Sequence, residues 1–242
     1  MARSRKTLGI MAGAAALVLA IVGFGAWWLF IRDDAPESAN LSDAQKTLDE
    51  QSSGSDDPAG SVDGAWNVDT AVGSFSDFSS TWAGYRVKEQ LASIGANTAV
   101  GRTPNVSGSM TVDGNKVTAV DVDVDLTTLQ SDSGQRDAAM HGRGLQSDQF
   151  PKATFKLTEP IQLPDSIGDS VTATANGELT IHGVTKPVTV DVQATVSGNS
   201  AAVVGQAPIA LSDYGIDAPT GFSVLSIDDQ GTFEFQIFFS KS

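Results

Sequence analysis

The side chains able to do chemistry are few and scattered. Only two histidines, His141 and His182, occur in the 242 residues, and there is no cysteine. Thiol catalysis, disulfides, cysteine-rich zinc sites and the lipid attachment of a bacterial lipoprotein therefore drop out together. Two isolated imidazoles do not make a metal centre. His182 stands in the dipeptide His182-Gly183 between two alternating runs, where it reads as a turn residue tolerating an unusual backbone angle. Asp121, Asp123 and Asp125 alternate with Val120, Val122, Val124 and Leu126. A calcium-binding EF-hand loop also needs Gly at its sixth position and Glu at its twelfth, where this chain has Leu126 and Asp132, so the aspartates read as the solvated face of a strand. No G-x-S-x-G elbow, HExxH or phosphate loop is present, and no catalytic residue, metal or cofactor is expected. Arg136-Asp137 has two uses open to it, an internal ion pair anchoring a helix to the rest of the fold or a polar handle for a ligand head group.

The elements that would position these groups are mostly strands. Val188, Val190, Val192, Ala194 and Val196 alternate with polar residues, and Ala173, Ala175, Gly177, Leu179 and Ile181 do the same before the turn. A period of two puts one face on a core and the other in water. A two-residue His182-Gly183 turn pairs the runs as a long antiparallel hairpin, with Ile181 opposite Val184 and Leu179 opposite Lys186. The inward face of its first strand is unusually small, a first hint of a cavity. Further strand signals fall at 79–91, with Trp82, Tyr85, Val87 and Leu91 broken by Gly84, and at 106–112, 117–126, 154–157, 201–211 and 231–239. Ser131 to Asp148 is the one helical insertion, with Ser131, Asp132 and Ser133 as cap candidates and Gly142 and Gly144 weakening it. Seven to nine strands at this spacing predict an all-β antiparallel barrel or sandwich.

Around this domain the composition changes twice. No residue from Leu8 to Ile31 is charged, and at about 1.5 Å per residue the segment exceeds the roughly 30 Å of a bilayer core. Arg3, Arg5 and Lys6 precede it and Asp33, Asp34 and Glu37 follow the lone Arg32, so the positive-inside rule puts residues 1–7 in the cytoplasm and everything after Arg32 outside the plasma membrane. A cleaved signal peptide has a shorter apolar run ending in small residues, whereas this one ends in Trp27-Trp28-Leu29-Phe30-Ile31, so a single uncleaved transmembrane helix over 8–31 is expected. Gly9 and Gly13 form a GxxxG that would let two anchors pair as a homodimer, although chance placement also explains it. Residues 32–65 hold nine acidic residues between Asp33 and Ala65 against the single Lys46, and read as a solvated flexible linker, with a helical turn possible where Leu41, Ala44 and Leu48 share a face. The domain proper runs from 66 to 242. With 29 acidic against 15 basic residues and a net charge of −14, the chain would be repelled by nucleic acid.

Several blocks of the outer domain resemble one family. Gly177-Glu178-Leu179-Thr180-Ile181-His182-Gly183-Val184-Thr185-Lys186-Pro187-Val188 is similar to the G-x-L-T-I-x-G-V-T-x-x-V signature of the YceI-like, lipocalin-like, polyisoprenoid-binding proteins. Trp66-Asn67-Val68-Asp69 resembles the opening W-x-V-D of that family. Arg136-Asp137 followed by Phe150-Pro151-Lys152-Ala153-Thr154-Phe155 resembles its R-D block and P-x-x-T-F, and Ser212-Asp213-Tyr214-Gly215-Ile216 its late S-D-[FY]-G-I. The resemblance implies an eight-stranded antiparallel barrel with a short helix and a lumen that takes a long isoprenoid or similar amphiphilic lipid. One departure stands out: where the family usually carries His-Ser after W-x-V-D, this chain has Thr70-Ala71-Val72-Gly73. The expected lumen-lining, ligand-binding residues are Phe75, Phe78, Trp82, Tyr85, Phe155, Ala173, Ala175, Leu179, Phe222, Phe233 and Phe235. The expected function is a non-enzymatic, membrane-anchored extracytoplasmic lipid-binding protein of a bacterial envelope. The alternative is an envelope interaction module whose barrel is packed solid.

Overall fold

The computed structural model describes residues 35–52, 61–93, 95–164 and 170–242. The basic tail 1–7, the candidate anchor 8–31 and the Gly9/Gly13 pair lie outside those residues. Among the described residues, no helix is long and apolar enough to cross a membrane.

The strands are β1 (Gly64–Asp69), β2 (Trp82–Leu91), β3 (Gly95–Thr103), β4 (Val106–Asp113), β5 (Lys116–Asp125), β6 (Lys152–Leu157), β7 (Ile161–Gln162), β8 (Val171–Ile181), β9 (Val184–Ser197), β10 (Ser200–Ala210) and β11 (Val224–Lys241). All pairings are antiparallel, in the order β1-β4-β5-β6-β8-β9-β10-β11, and β1 pairs with β11 to close the ring. β2 continues β1 along β11 after an excursion over residues 70–81, since Asp69 pairs with Phe238 and Trp82 with Gln236. β3 pairs with β2 and runs on into β4. The result is an eight-stranded closed barrel in which two staves are interrupted. Closure pairs the strands around the ring, and among the described residues the outer edge of β3 carries only the isolated bridge of Arg102 to Gln130.

The hairpin of β8 and β9 has the register its alternation predicts, with Ile181 opposite Val184 and Leu179 opposite Lys186. Its turn places His182 at φ 53° and Gly183 at φ 73°, the two positive values a tight hairpin of this twist needs. One helix, α1 (Leu41–Ser52), precedes the barrel, and the insertion after β5 forms the short helix α2 (Gly134–Ala139); the Ser133 side chain accepts from the Arg136 amide as its cap, and one wider turn, Met140–Gly144, follows.

One expectation needs correcting. The stretch expected as a solvated linker contains α1 (Leu41–Ser52), whose Ala44 and Leu48 are buried on the outer wall against Val72, Ala202, Val204 and Phe238. The Leu41/Ala44/Leu48 spacing gives the helix one apolar face, and the Asn40 side chain caps it by accepting from the Asp43 amide at 3.0 Å. Alternation in β11 places Glu234 and Gln236 on the face opposite Phe233 and Phe235, and that outer face is itself covered, so that both are buried. Residues 35–40 and the 70–81 excursion cover them.

Candidate functional site

The barrel holds two cavities, and Phe233 lines both. The upper one, about 540 Å³, opens at the end of the barrel under α2 and is bordered by Tyr85, Val87, Leu129, Met140, Ile209 and Phe233. The lower one, about 150 Å³, is walled by hydrocarbon throughout, including Phe155, Ala173, Ala175, Val190, Phe233 and Phe235. A volume of a few hundred cubic ångströms is the ordinary size of a small-molecule site. The lower chamber alone has room for a ring-sized apolar group, so only the end of a long chain would lodge there.

Large aromatic side chains on an inward face would ordinarily fill a barrel this narrow. Here three of them lie flat against the wall, each over a glycine of the adjoining strand. A Cβ at Gly205 would sit 2.5 Å from the Phe235 ring, one at Gly177 2.5 Å from Phe155, and one at Gly101 2.4 Å from Tyr85. The missing side chains let the rings occupy the wall and leave the axis open. Phe233 and Phe235, two residues apart on β11, stand with ring centroids 5.7 Å apart and tilted by 41°.

The mouth is polar. Glu89, inward on β2, accepts from Arg136 of α2 at 2.6 Å and from Asn97 of β3 at 2.8 Å. Arg136 also donates to Asp132. Burial alone would lower the Arg136 pKa, but the bonds to Glu89 and Asp132 outweigh it and hold the guanidinium above its ordinary value. The Arg136 Nε is buried without a hydrogen-bond partner in the protein. The neighbouring Asp137 instead ties the loop, accepting from the Ser131 amide and hydroxyl at 2.9 and 2.6 Å. The helix is thus anchored by an ion pair, but to Glu89 of β2 rather than within Arg136-Asp137. Burial in this region also pushes the Tyr85 phenol well above its usual pKa.

Of the residues expected in the lumen, Tyr85, Phe155, Ala173, Ala175, Phe233 and Phe235 line it. Leu179 is buried in the main core beside it. Trp82, Phe78 and Phe75 are on the outside instead. Trp82 stands three residues from Tyr85 and so points to the other face of β2. Its ring stacks on the Arg102 guanidinium, with 3.8 Å from the guanidinium carbon to the ring centroid, and its Nε1 donates to the Phe78 carbonyl. Phe75 packs edge-on against Phe78 in the excursion. Phe222 projects fully into solvent from the loop after Tyr214. Thr70 to Gly73 also belong to the outer wall, where Val72 is packed against Ala44 and Leu48.

The outer wall holds a second charge cluster. Glu234 accepts from Arg102 at 2.9 Å and from Arg86 at 3.4 Å. Burial lowers the Arg102 pKa, with Glu234 opposing. Residues sequence reasoning missed are Glu89 and Asn97 at the mouth; Glu89 was visible as an acid in phase with Tyr85 and Val87. His141 bridges Ser147 and the Leu129 carbonyl, and His182 Nδ1 reaches the Tyr214 carbonyl at 3.1 Å. Among the described residues, no group of three or more His, Asp or Glu side chains is arranged to hold a metal ion.

Comparison with known proteins agrees with this architecture. Residues 66–239 match the model of the YceI-like domain. A UPF0312 protein of Shewanella sp. (strain W3-18-1) is 34% identical over 137 residues, covering 53% of this chain and 69% of its own. A UPF0312 protein of Vibrio parahaemolyticus is 29% identical over 136 residues, 52% of this chain and 69% of its own. Among solved structures, a polyisoprenoid binding domain from Saccharophagus degradans, implicated in plant cell wall breakdown, superposes with TM-score 0.55 at 15% identity, covering 73% of this chain and 98% of its own. Burkholderia cenocepacia BcnA gives TM-score 0.52 at 19% identity, with 65% and 95% covered.

Proposed function

The chain belongs to the YceI-like domain family, and from that premise we propose that it is a membrane-anchored, extracytoplasmic binding protein holding a long apolar lipid, of the polyisoprenoid kind, in its barrel. The observation that carries this is the lumen itself, a largely apolar upper cavity with polar groups at its mouth and, on the other side of Phe233, a chamber walled only by hydrocarbon. Each buried CH₂ of such a ligand contributes about 0.8 kcal/mol, so affinity would grow with chain length. The Arg136 guanidinium, partly exposed where it lines the upper cavity, would face the head group. A barrel packed solid does not agree with these cavities.

Residues 8–31 supply the anchor in this reading, on the strength of their length, lack of charge and flanking residues. No step of chemistry is assigned to the site; its work is to shield a chain from water. The similarity to a protein described as polyisoprenoid binding supports the ligand class. Organic extraction of the purified full-length protein, with mass spectrometry of the extract, is expected to release one long-chain lipid per protein. Ala175→Phe fills the lower chamber and is expected to reduce the yield at least tenfold while circular dichroism shows the β signature retained. Protein free of lipid, in preparations from its own membrane, contradicts the proposal.

A further inference from the structure

The segment preceding the barrel is strapped to the wall near the mouth. The Pro36 carbonyl accepts from Arg86 at 2.5 Å and the Glu37 carbonyl from Arg102, and α1 then runs toward Ala202 and Phe238. Along β11, Arg86 pairs at Thr232, while Phe238 lies six residues farther from the mouth. Ala35, at the other end of the strap, borders the same surface hollow as Asn97, which lines the mouth. Ala35 is thus the mouth-side end of the described strap. Only residues 32–34 separate the strap from the end of the apolar segment at Ile31, and the four residue steps from Ile31 to Ala35 reach at most about 14 Å.

The exposed large hydrophobic residues among those described are Phe222 and Leu225. Both belong to the rim of the mouth. Gly221, Ser223 and Val224 line the upper cavity, and the Ala92 amide at the end of β2 donates to the Ser223 carbonyl at 3.0 Å, fixing this loop to the barrel. Apolar side chains held in water at a cavity entrance mark a contact surface. The chain's net charge of −14 argues against an anionic polymer or an acidic protein as the partner.

We infer that the mouth rim, through Phe222 and Leu225, rests on the bilayer in which the chain is anchored, so that lipid passes directly between membrane and lumen. This rests on the reading of residues 8–31 as the anchor. The short connection brings the rim to the surface, and the strap fixes its orientation. The opposite end of the barrel, at the Gly114-Asn115 turn between β4 and β5, faces away.

Because the chain has no cysteine, single nitroxide labels can be placed cleanly. Full-length protein carrying Phe222→Cys or Asn115→Cys is labelled and reconstituted in phosphatidylcholine vesicles, and collision rates with oxygen and with a water-soluble nickel complex are compared. The expected result is an oxygen-to-nickel ratio several-fold higher at position 222 than at 115. A flexible Gly/Ser spacer of about 12 residues between Asp34 and Ala35 is expected to bring the two ratios together without releasing the protein from vesicles. Protein that floats with vesicles but has both labels in water overturns the docking alone, and immersion unchanged by the spacer overturns the role of the short connection. Protein that does not float overturns the anchor and the docking with it, while its extracted lipid still reports separately on binding.

Discussion

Glu89 and Glu234 lie on paired strands and have equally small side-chain exposure, 1% each, yet they face opposite sides of the barrel wall. Glu234 is enclosed by Arg86 and Arg102, with Trp82, Phe78 and the strap packed around the cluster. Arg102 also borders surface hollows beside the strap, outside the lumen, and the cluster joins the strap to the barrel. Glu89 is held by Arg136 and Asn97 at the edge of a cavity, where one side of the ion pair faces space a ligand can enter. Burial and pairing alone do not distinguish a site from a structural clasp; the side of the wall does.

The largest effects should come from these two clusters. Glu234→Ala strands the buried Arg102 guanidinium and removes a partner of the half-buried Arg86, and should cost about 3–5 kcal/mol in urea unfolding, with bound lipid per folded protein unchanged. Arg136→Ala should cost a similar amount by stranding Glu89, but should also lower lipid retention because the mouth loses its covering helix. If both variants affect lipid equally, the contrast between inside and outside fails. Next comes Leu48→Ala, which removes a fully buried side chain from the strap and should destabilise by about 2–5 kcal/mol without touching the lumen. Gly205→Ala should cost less, about 1–3 kcal/mol, because the added methyl drives the Phe235 ring off the wall. That ring would then swing across the axis, so its effect on lipid capture should exceed its effect on stability, the reverse of Leu48→Ala.

The smallest effect is confined to alkaline pH. Burial raises the Tyr85 pKa in the folded protein above its ordinary value of 10.0. The resulting stability is fully present below pH 10 and is lost progressively as pH rises above it, because the unfolded chain ionises first. Tyr85→Phe should be near neutral at pH 7 and should move the alkaline unfolding midpoint upward, as followed by circular dichroism. A midpoint that stays put would mean the phenol is not held in the dry wall.

Much of this was legible in the sequence. The hairpin around His182-Gly183, its register and the interrupted helix after β5 follow from alternation, positive-φ turn residues and glycine placement. The inward faces of β8 and β11 were legible for the same reason. The outer wall was not, because alternation says which residues share a face but not whether water or another segment covers it. Glu234 and Gln236 look solvated until residues 35–40 and the 70–81 excursion are laid over them. Trp82 was misplaced by counting aromatic residues rather than phase, since its spacing from Tyr85 already excluded a common face. β3 was missed because Gly95–Thr103 is short of large apolar residues, its packing supplied by small side chains and by Tyr85 lying over Gly101. Phe222 carries no periodic signal at all, being in a loop.

The most direct measurement is native mass spectrometry of the full-length protein released from its membrane, with Gly205→Ala and Glu234→Gln measured beside it. Wild type and Glu234→Gln should each carry one long-chain lipid, and folded Gly205→Ala should carry none. Lipid bound equally by all three would put the ligand outside the lumen and contradict a site made by aromatic rings lying on glycines.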